Sequence, residues 1–584
     1  MAATLAVASS GSNKSDGDHS NLKAYVEASL LASVEQNPKQ SFDVIVEGAD
    51  RKGTSAGLVK KMLSDNSGPS DENIGRGNVK KQFLSINGAQ LTLTGKQILR
   101  LAKTGVAGAI LANEMVEKTG NVDIGLSTYN SQLWPWSSGA VINWLNITPK
   151  APTIAVVDSG IDPAHTADFG GRLLGQVNLT SLAPNSPGDG YGHGTFVAGI
   201  AAGAATGYAG TAPTANLLSV DVMNDAGQAT VADVVAGADW ILQNKATYNI
   251  KVANFSLHAV NRASVMFDPL DQAVERLWLN GVVVVAASGN YAVNGAQSNV
   301  PFAPGNDPFV ITVGAADTLG TMTQSDDTAA PWSAWGYSPD GFRKPEVSAP
   351  GRYMVGPVSN GGGLALERPD HVVSSGYMQL SGTSFAAPVV SGIAAMLVAQ
   401  HPTWTTGQIK GAIMATAVPT KSTAVAPGQL GVGEANALYA RVYSATPPNP
   451  NSPLLQYVTT AADGTKVFNA SAWQSAALGN TVWDAAAWSD AAWSSAAWSS
   501  VAWSSAAWSD AAWASAAWGS AAWSDAAWSD AAWSDAAWAD SAESEAVGDT
   551  PIVDPTTQDA TEASLGIVNP VVDATSTLVG GLQP

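Results

Sequence analysis

The sequence predicts an α/β fold, with a mostly parallel central sheet covered by helices on both faces. Three observations predict it. Between about residues 150 and 443, short runs of continuous apolar residues recur, such as "TIAVVDSG" and "GVVVVAASGN". A strand with no polar side is buried on both faces, as in parallel sheets. Stretches of helical spacing alternate with these runs, which is the order that crossover connections between parallel strands require. Charged residues make up only 13% of the 584 residues, so a large share of the chain is available for burial.

The elements follow in order. Residues 1–118 hold 14 of the 28 bases but 12 of the 48 acids, against a net charge of −20 for the whole chain. That step in charge marks a separate N-terminal domain. Residues 1–40 are expected to be a flexible segment and 41–118 a small α+β domain. "SFDVIVEG" alternates like a strand and "AGLVKKMLS" has helical spacing. "TGKQILRLAKTG" reads as a capped helix, with Thr94 at the N-cap, Gln97 three residues on and Gly105 past its end. Residues 119–149 are a connecting segment. The larger domain, 150–443, has strands at "TIAVVDSG", "NLLSVDVM", "KVANFSLH", "GVVVVAASGN" and "FVITVGA". Between them lie helices at "GTFVAGIAAG", "VADVVAGADWILQN" and "DPLDQAVERLWLNG".

A Pro-rich linker, 444–457, contains "TPPNPNSP" and is expected to separate independent parts, so a chain ending near Ser452 keeps most of its activity. From 458 to 540 the composition becomes Trp-rich, and Trp483 to Trp538 recur every five residues, twelve in all. A five-residue step turns a helix by roughly 140°, so these indoles share no helical face, and an odd step alternates faces on a strand. An inward-facing pentapeptide-like repeat, a flexible tail and exposed indoles for glycan or cell wall all remain open. The acidic tail, 541–584, has the composition of disorder.

Composition narrows function. The net charge of −20 argues against nucleic acid and anionic membranes, which call for clustered Lys and Arg. With no Cys in the chain, disulfides, thiolate metal sites and cysteine nucleophiles are excluded. No apolar run reaches the ~18 residues of a membrane span, and the N-terminus lacks a basic region that would mark a signal peptide.

Three residues stand out at the ends of predicted strands and the starts of helices, where α/β sheets gather chemistry. Asp158 ends "TIAVVDSG", His193 lies between glycines in "GDGYGHGTFVAGIAAG", and Ser384 opens "SFAAPVVSGIAAML". Singly, each has a plainer reading: a turn-capping Asp, a turn His, an N-cap Ser. Together they form a chemistry. A serine hydroxyl becomes nucleophilic when a base takes its proton. Imidazole suits that role near neutral pH, and a carboxylate on its other nitrogen fixes the tautomer. At a helix N-terminus Ser384 has a backbone N–H and the helix dipole beside any oxyanion formed there.

"DSG" at 158–160, "HGTFVAG" at 193–199 and "GTSFAAP" at 382–388 resemble the motifs of the subtilisin-like serine peptidases, in the same order Asp, His, Ser. The resemblance covers about 150–443. It implies a subtilisin-like fold and a serine endopeptidase acting through an acyl-enzyme on protein or peptide substrates. It implies Asp158, His193 and Ser384 as the triad and Asn290, in "VVVVAASGN", as the oxyanion residue. Ser256, Leu257 and His258 in "NFSLH", with Ala287, Ser288 and Gly289 opposite, would form the substrate pocket; His258 stands where the family usually has Gly. "KPEVSAPG" at 344–351 also fits. No cofactor is needed for the chemistry; family members often bind structural calcium, for which no ligands are assigned. The N-terminal domain resembles the family's inhibitory prosegment, implying a self-processing precursor, secreted or at the cell surface.

Two other enzyme classes fit less well. An α/β-hydrolase needs Gly-x-Ser-x-Gly and the order Ser, Asp, His, whereas here both partners precede the Ser, and sedolisin relatives carry acids where this chain has "GHGT". The alternative of a different kind is a non-catalytic adhesin or wall-binding protein that uses the Trp repeat.

Overall fold

The computed structural model describes residues 21–65, 68–119, 122, 126, 131–145, 150–262 and 264–478, all of them within one compact unit. The twelve Trp of the repeat and the acidic tail lie outside the described residues.

The centre is an eight-stranded sheet. Strand Thr153–Asp158, whose six residues are all buried, lies between Ile250–Phe255 and Asn216–Asp221 and is parallel to both. Val283–Ala287, Ile311–Asp317 and Val347–Pro350 extend the sheet on one side and Leu173–Asn178 on the other, all parallel; the short Thr328–Ala329 is antiparallel. Helices His193–Ala202 and Thr383–Gln400 pack together on one face of the sheet, Val231–Asn244 and Pro269–Leu279 on the other. The sequence therefore reads as it does because both faces are covered. Thr383–Gln400 is apolar and long enough to cross a membrane, but 83% of it is buried in the fold, and it is the core helix of this layer.

The N-terminal part is a five-stranded sheet with helices Ala28–Gln36, Ser55–Ser64 and Gly95–Thr104. The last of these has a capping box between Thr94 and Gln97 and ends on Gly105 in the left-handed region. Residues 25–36, expected to be flexible, belong to this fold. Tyr25–Val26 pairs with Ala107–Ala112, and Leu30, Leu31 and Val34 are buried in its core. Their spacing along one helical face is the physical reason: once a sheet covers that face, the helix forms.

The Pro-rich segment also differs from the expectation of a bare spacer. Residues Ser452–Tyr457 form a 3-10 turn and Val458–Thr460 pairs with Lys466–Phe468, followed by helix Ala470–Leu478. Leu454, Phe468 and Trp473 are buried in the main core, and the Asn451 side chain donates to the Pro308 carbonyl at 2.8 Å. Trp473 precedes Trp483 by two five-residue steps, so it shares the register of the repeat.

The two parts are pressed together. Ile45 of the N-terminal sheet, with Phe83 and Ile86 from the turn between Val79–Gln82 and Gly88–Thr94, is buried in the core of the larger part. The Leu84 and Ser85 amides donate to the two oxygens of Asp239 at 2.9 and 2.5 Å, and Tyr25 stacks on Phe267 at 4.2 Å.

Candidate active site

Asp158 ends the central strand, and His193 begins the helix beside it. Gly192 before the His has φ +109°, a left-handed value that favours glycine. A Cβ on Gly194 would lie 2.2 Å from the Gly160 carbonyl oxygen and 3.0 Å from the Asp158 Cβ, so only glycine lets strand end and helix start approach this closely. The result is a bond of 2.7 Å between His193 Nδ1 and Asp158 Oδ1, with both side chains fully buried. Asp158 Oδ1 also accepts the Ser159 amide at 2.8 Å.

Asp189, which the sequence analysis did not single out, holds this turn. Its carboxyl accepts from Ser159 Oγ (2.9 Å), the Gly192 amide (2.6 Å), and the amide (2.8 Å) and hydroxyl (2.6 Å) of Thr195. Burial pushes its pKa up to about 6 against the pull of these four donors. The signal in the sequence is slight: an acid between two glycines, four residues before His193.

Ser384 lies in the first turn of Thr383–Gln400. Its Oγ bonds to the Thr119 hydroxyl at 2.6 Å and donates to the Ser256 carbonyl at 3.1 Å. Among the described residues His193 Nε2 has no hydrogen-bond partner, so Ser384 Oγ is not bonded to it. The physical reason is the occupant. Residues Met115–Lys118 run as an antiparallel strand between Gln228–Thr230 and Leu257–Ala259, which carries Thr119 to Ser384. The Thr119 amide donates to the Ser256 carbonyl at 3.2 Å, and Asn290 Nδ2 donates to the Thr119 carbonyl. Asn290 is aimed by Thr383, whose amide and hydroxyl each donate to Asn290 Oδ1 at 2.9 Å. Beyond Thr119 the chain is held again, where the Val122 amide donates to the Ser381 carbonyl at 2.9 Å.

The other sequence-predicted residues fall around this strand. Leu257 pairs with Lys118, and His258 with Glu117. The His258 ring stacks on Phe302 at 5.2 Å and meets Tyr291 edge-on at 5.9 Å, forming an aromatic rim. Ala287, Ser288 and Gly289 close the sheet end: the Ser288 amide donates to the Val313 carbonyl and the Gly289 amide to Thr383 Oγ1. Glu346 of "KPEVSAPG" is buried and accepts from Lys344 of the same stretch and from Lys410, each at 2.8 Å. Among the described residues no group of three or more His, Asp or Glu side chains is arranged to hold a metal ion.

The profile of the subtilase family, peptidase S8, matches residues 149–439. Subtilisin E of Bacillus subtilis is 30% identical over 344 residues, which cover 58% of this chain and 78% of that protein. The chain belongs to the subtilase family. The serine protease AprX of Bacillus subtilis is 38% identical over 283 residues, 46% of this chain; the match spans 62% of AprX. Among solved structures, fervidolysin from Fervidobacterium pennivorans aligns over 76% of this subtilase and 66% of that chain, with a TM-score of 0.53 and 20% identity, a likeness of fold.

Proposed function

We propose that this subtilase is a serine endopeptidase made as a precursor that cuts its own chain after Thr119. One observation carries the reading: Thr119 lies where a substrate residue would, its amide on the Ser256 carbonyl and its carbonyl on Asn290, beside the Ser384 hydroxyl. Ser384 Oγ attacks the Thr119 carbonyl carbon and its proton passes to His193 Nε2. Asp158 holds Nδ1 and stabilises the imidazolium, while Asn290 Nδ2 bonds the oxyanion. Collapse of the tetrahedral intermediate gives an acyl-enzyme, His193 returns the proton to the leaving amine, and water then frees the acyl group. The N-terminal domain is the prosegment, held by the strand Met115–Lys118 as an inhibitor. Such latency suits a peptidase released from the cell or kept at its surface, with the Trp repeat available for wall or glycan contact. Nothing observed favours the non-catalytic alternative.

N-terminal sequencing of the active protein tests the cut, and the expected first residue is Gly120. A start elsewhere would overturn the assignment of Thr119.

Asn290→Ala should lower kcat by about 10²–10³ with KM nearly unchanged, because the oxyanion bond matters most in the transition state. A loss confined to KM would exclude the role.

Docking of the prosegment should weaken as pH rises. Glu114 faces Glu27 and Asp268, with Asn261 alongside, and burial pushes its pKa up to about 9. Glu47 lies between Arg51, Gln272 and Asp268, and burial pushes it up to about 7. On release both regain ordinary carboxylate values near 4–4.5. Docking carries no penalty while both remain protonated, and the penalty grows as pH rises through about 5 to 9. Inhibition of the cleaved enzyme by its own prosegment, measured across that range, should therefore weaken with pH; inhibition that tightens would contradict the sign.

A further inference from the structure

Thr119 lies against Ser384, and the residue before it, at the end of the strand Met115–Lys118, is a lysine. Lys118 is half-buried, and its Nζ stands 4.3 Å from the centroid of the Tyr191 ring. The same ring donates its hydroxyl to Glu367 Oε2 at 3.0 Å, so a carboxylate sits at the polar end of the surface the ammonium rests on. Glu367 is carried on the short helix Gly363–Glu367, which is fastened to the Tyr191 segment by two amide bonds, Gly363 to the Gly190 carbonyl and Leu364 to the Tyr191 carbonyl. The third wall is Gly227. A Cβ there would come within 3.1 Å of Lys118 Cδ and 3.0 Å of the Tyr191 ring, so the bare backbone leaves a slot for the lysine stem. Burial lowers the Lys118 pKa, while Glu367, Glu117 and Asp158 all pull it upward.

Resting on the peptidase reading, we infer that this slot of Tyr191, Gly227 and Glu367 selects substrates with a basic residue, lysine above all, immediately before the residue at the cut. A ring face and a nearby carboxylate attract a cation and offer an uncharged chain of the same length only apolar contact. A carboxylate side chain there would face Glu367 and Asp158 and be repelled.

The test uses the full chain after self-cleavage and three fluorogenic peptides carrying Val-Glu-X-Thr before the reporter, with X lysine, norleucine or glutamate. Ratios of kcat/KM do not depend on how much of the enzyme is active. Lysine should exceed norleucine about tenfold, the scale of a partly desolvated cation–π contact, with glutamate slowest. Glu367→Gln, which keeps a partner for the Tyr191 hydroxyl and removes the charge, should lower the lysine-to-norleucine ratio about threefold, as expected of an exposed charge. Equal rates for lysine and norleucine would overturn the inference and leave the peptidase reading standing. Hydrolysis of none of the three would overturn that reading, and this inference with it.

Discussion

Ser384→Ala should abolish peptide hydrolysis and leave the N-terminal part uncleaved from the rest of the chain. The Ser384 hydroxyl lies against Thr119 at 2.6 Å, buried at the start of the core helix and beside the carbonyl that Asn290 holds. Alanine keeps the helix and its packing and removes only the attacking atom. In subtilisin itself, loss of the serine alone lowers kcat about 2 × 10⁶-fold, and a comparable loss is expected here. The check is kcat on a short peptide, together with the length of the variant purified free of other peptidases. Hydrolysis within tenfold of the parent, or a purified variant that still shortens itself, would remove Ser384 from the mechanism.

Trp473→Ala should destabilise the protein by about 3–5 kcal/mol, the usual range for removing a fully buried Trp. Its side chain has 0% exposure and stacks on Phe342 at 5.2 Å, next to Phe468, which in turn meets Phe309 edge-on at 5.0 Å. Phe309 lies two residues before the strand Ile311–Asp317, so the cavity would open against the central sheet. A fall in melting temperature on the order of 10 °C is expected for a domain of this size. Ending the chain at Ser452 removes Leu454, Phe468 and Trp473 together and should abolish activity through loss of the fold. A truncated chain with parental activity, or a Trp473→Ala variant melting within about 2 °C of the parent, would show that this segment is no part of the core.

Legibility in the sequence followed the range of the interactions. The helix Gly95–Thr104 could be read to the residue because its start and stop are local: a hydroxyl and an amide exchanging bonds at one end, a glycine at the other. The helix Val231–Asn244 and the strand Thr153–Asp158 were equally plain, one from its apolar spacing and one from its unbroken apolar run. Asp158, His193 and Ser384 could be grouped because their chemistry needs those three residue types and each carries its own flanking motif. Asp189 was missed: its four donors come from Ser159, Gly192 and Thr195, and no spacing in the chain announces their convergence.

By itself, then, the sequence determined the sheet with helices on both faces and the order of its strands along the chain, and it grouped Asp158, His193 and Ser384, all carried by local periodicity or a short motif. Tertiary structure alone decided that Thr119 lies on Ser384. "MVEK" is too short and too mixed to read as a strand, and its place comes from partners more than 100 residues away in Gln228–Thr230 and Leu257–Ala259. The tertiary fold likewise decided that residues 452–478 close the core: Phe468 and Trp473 find a partly built apolar surface at Phe309 and Phe342 only after the sheet has formed. Backbone hydrogen bonds and buried aromatic area join whichever segments the fold brings together, so their consequences are written in three dimensions and not along the chain.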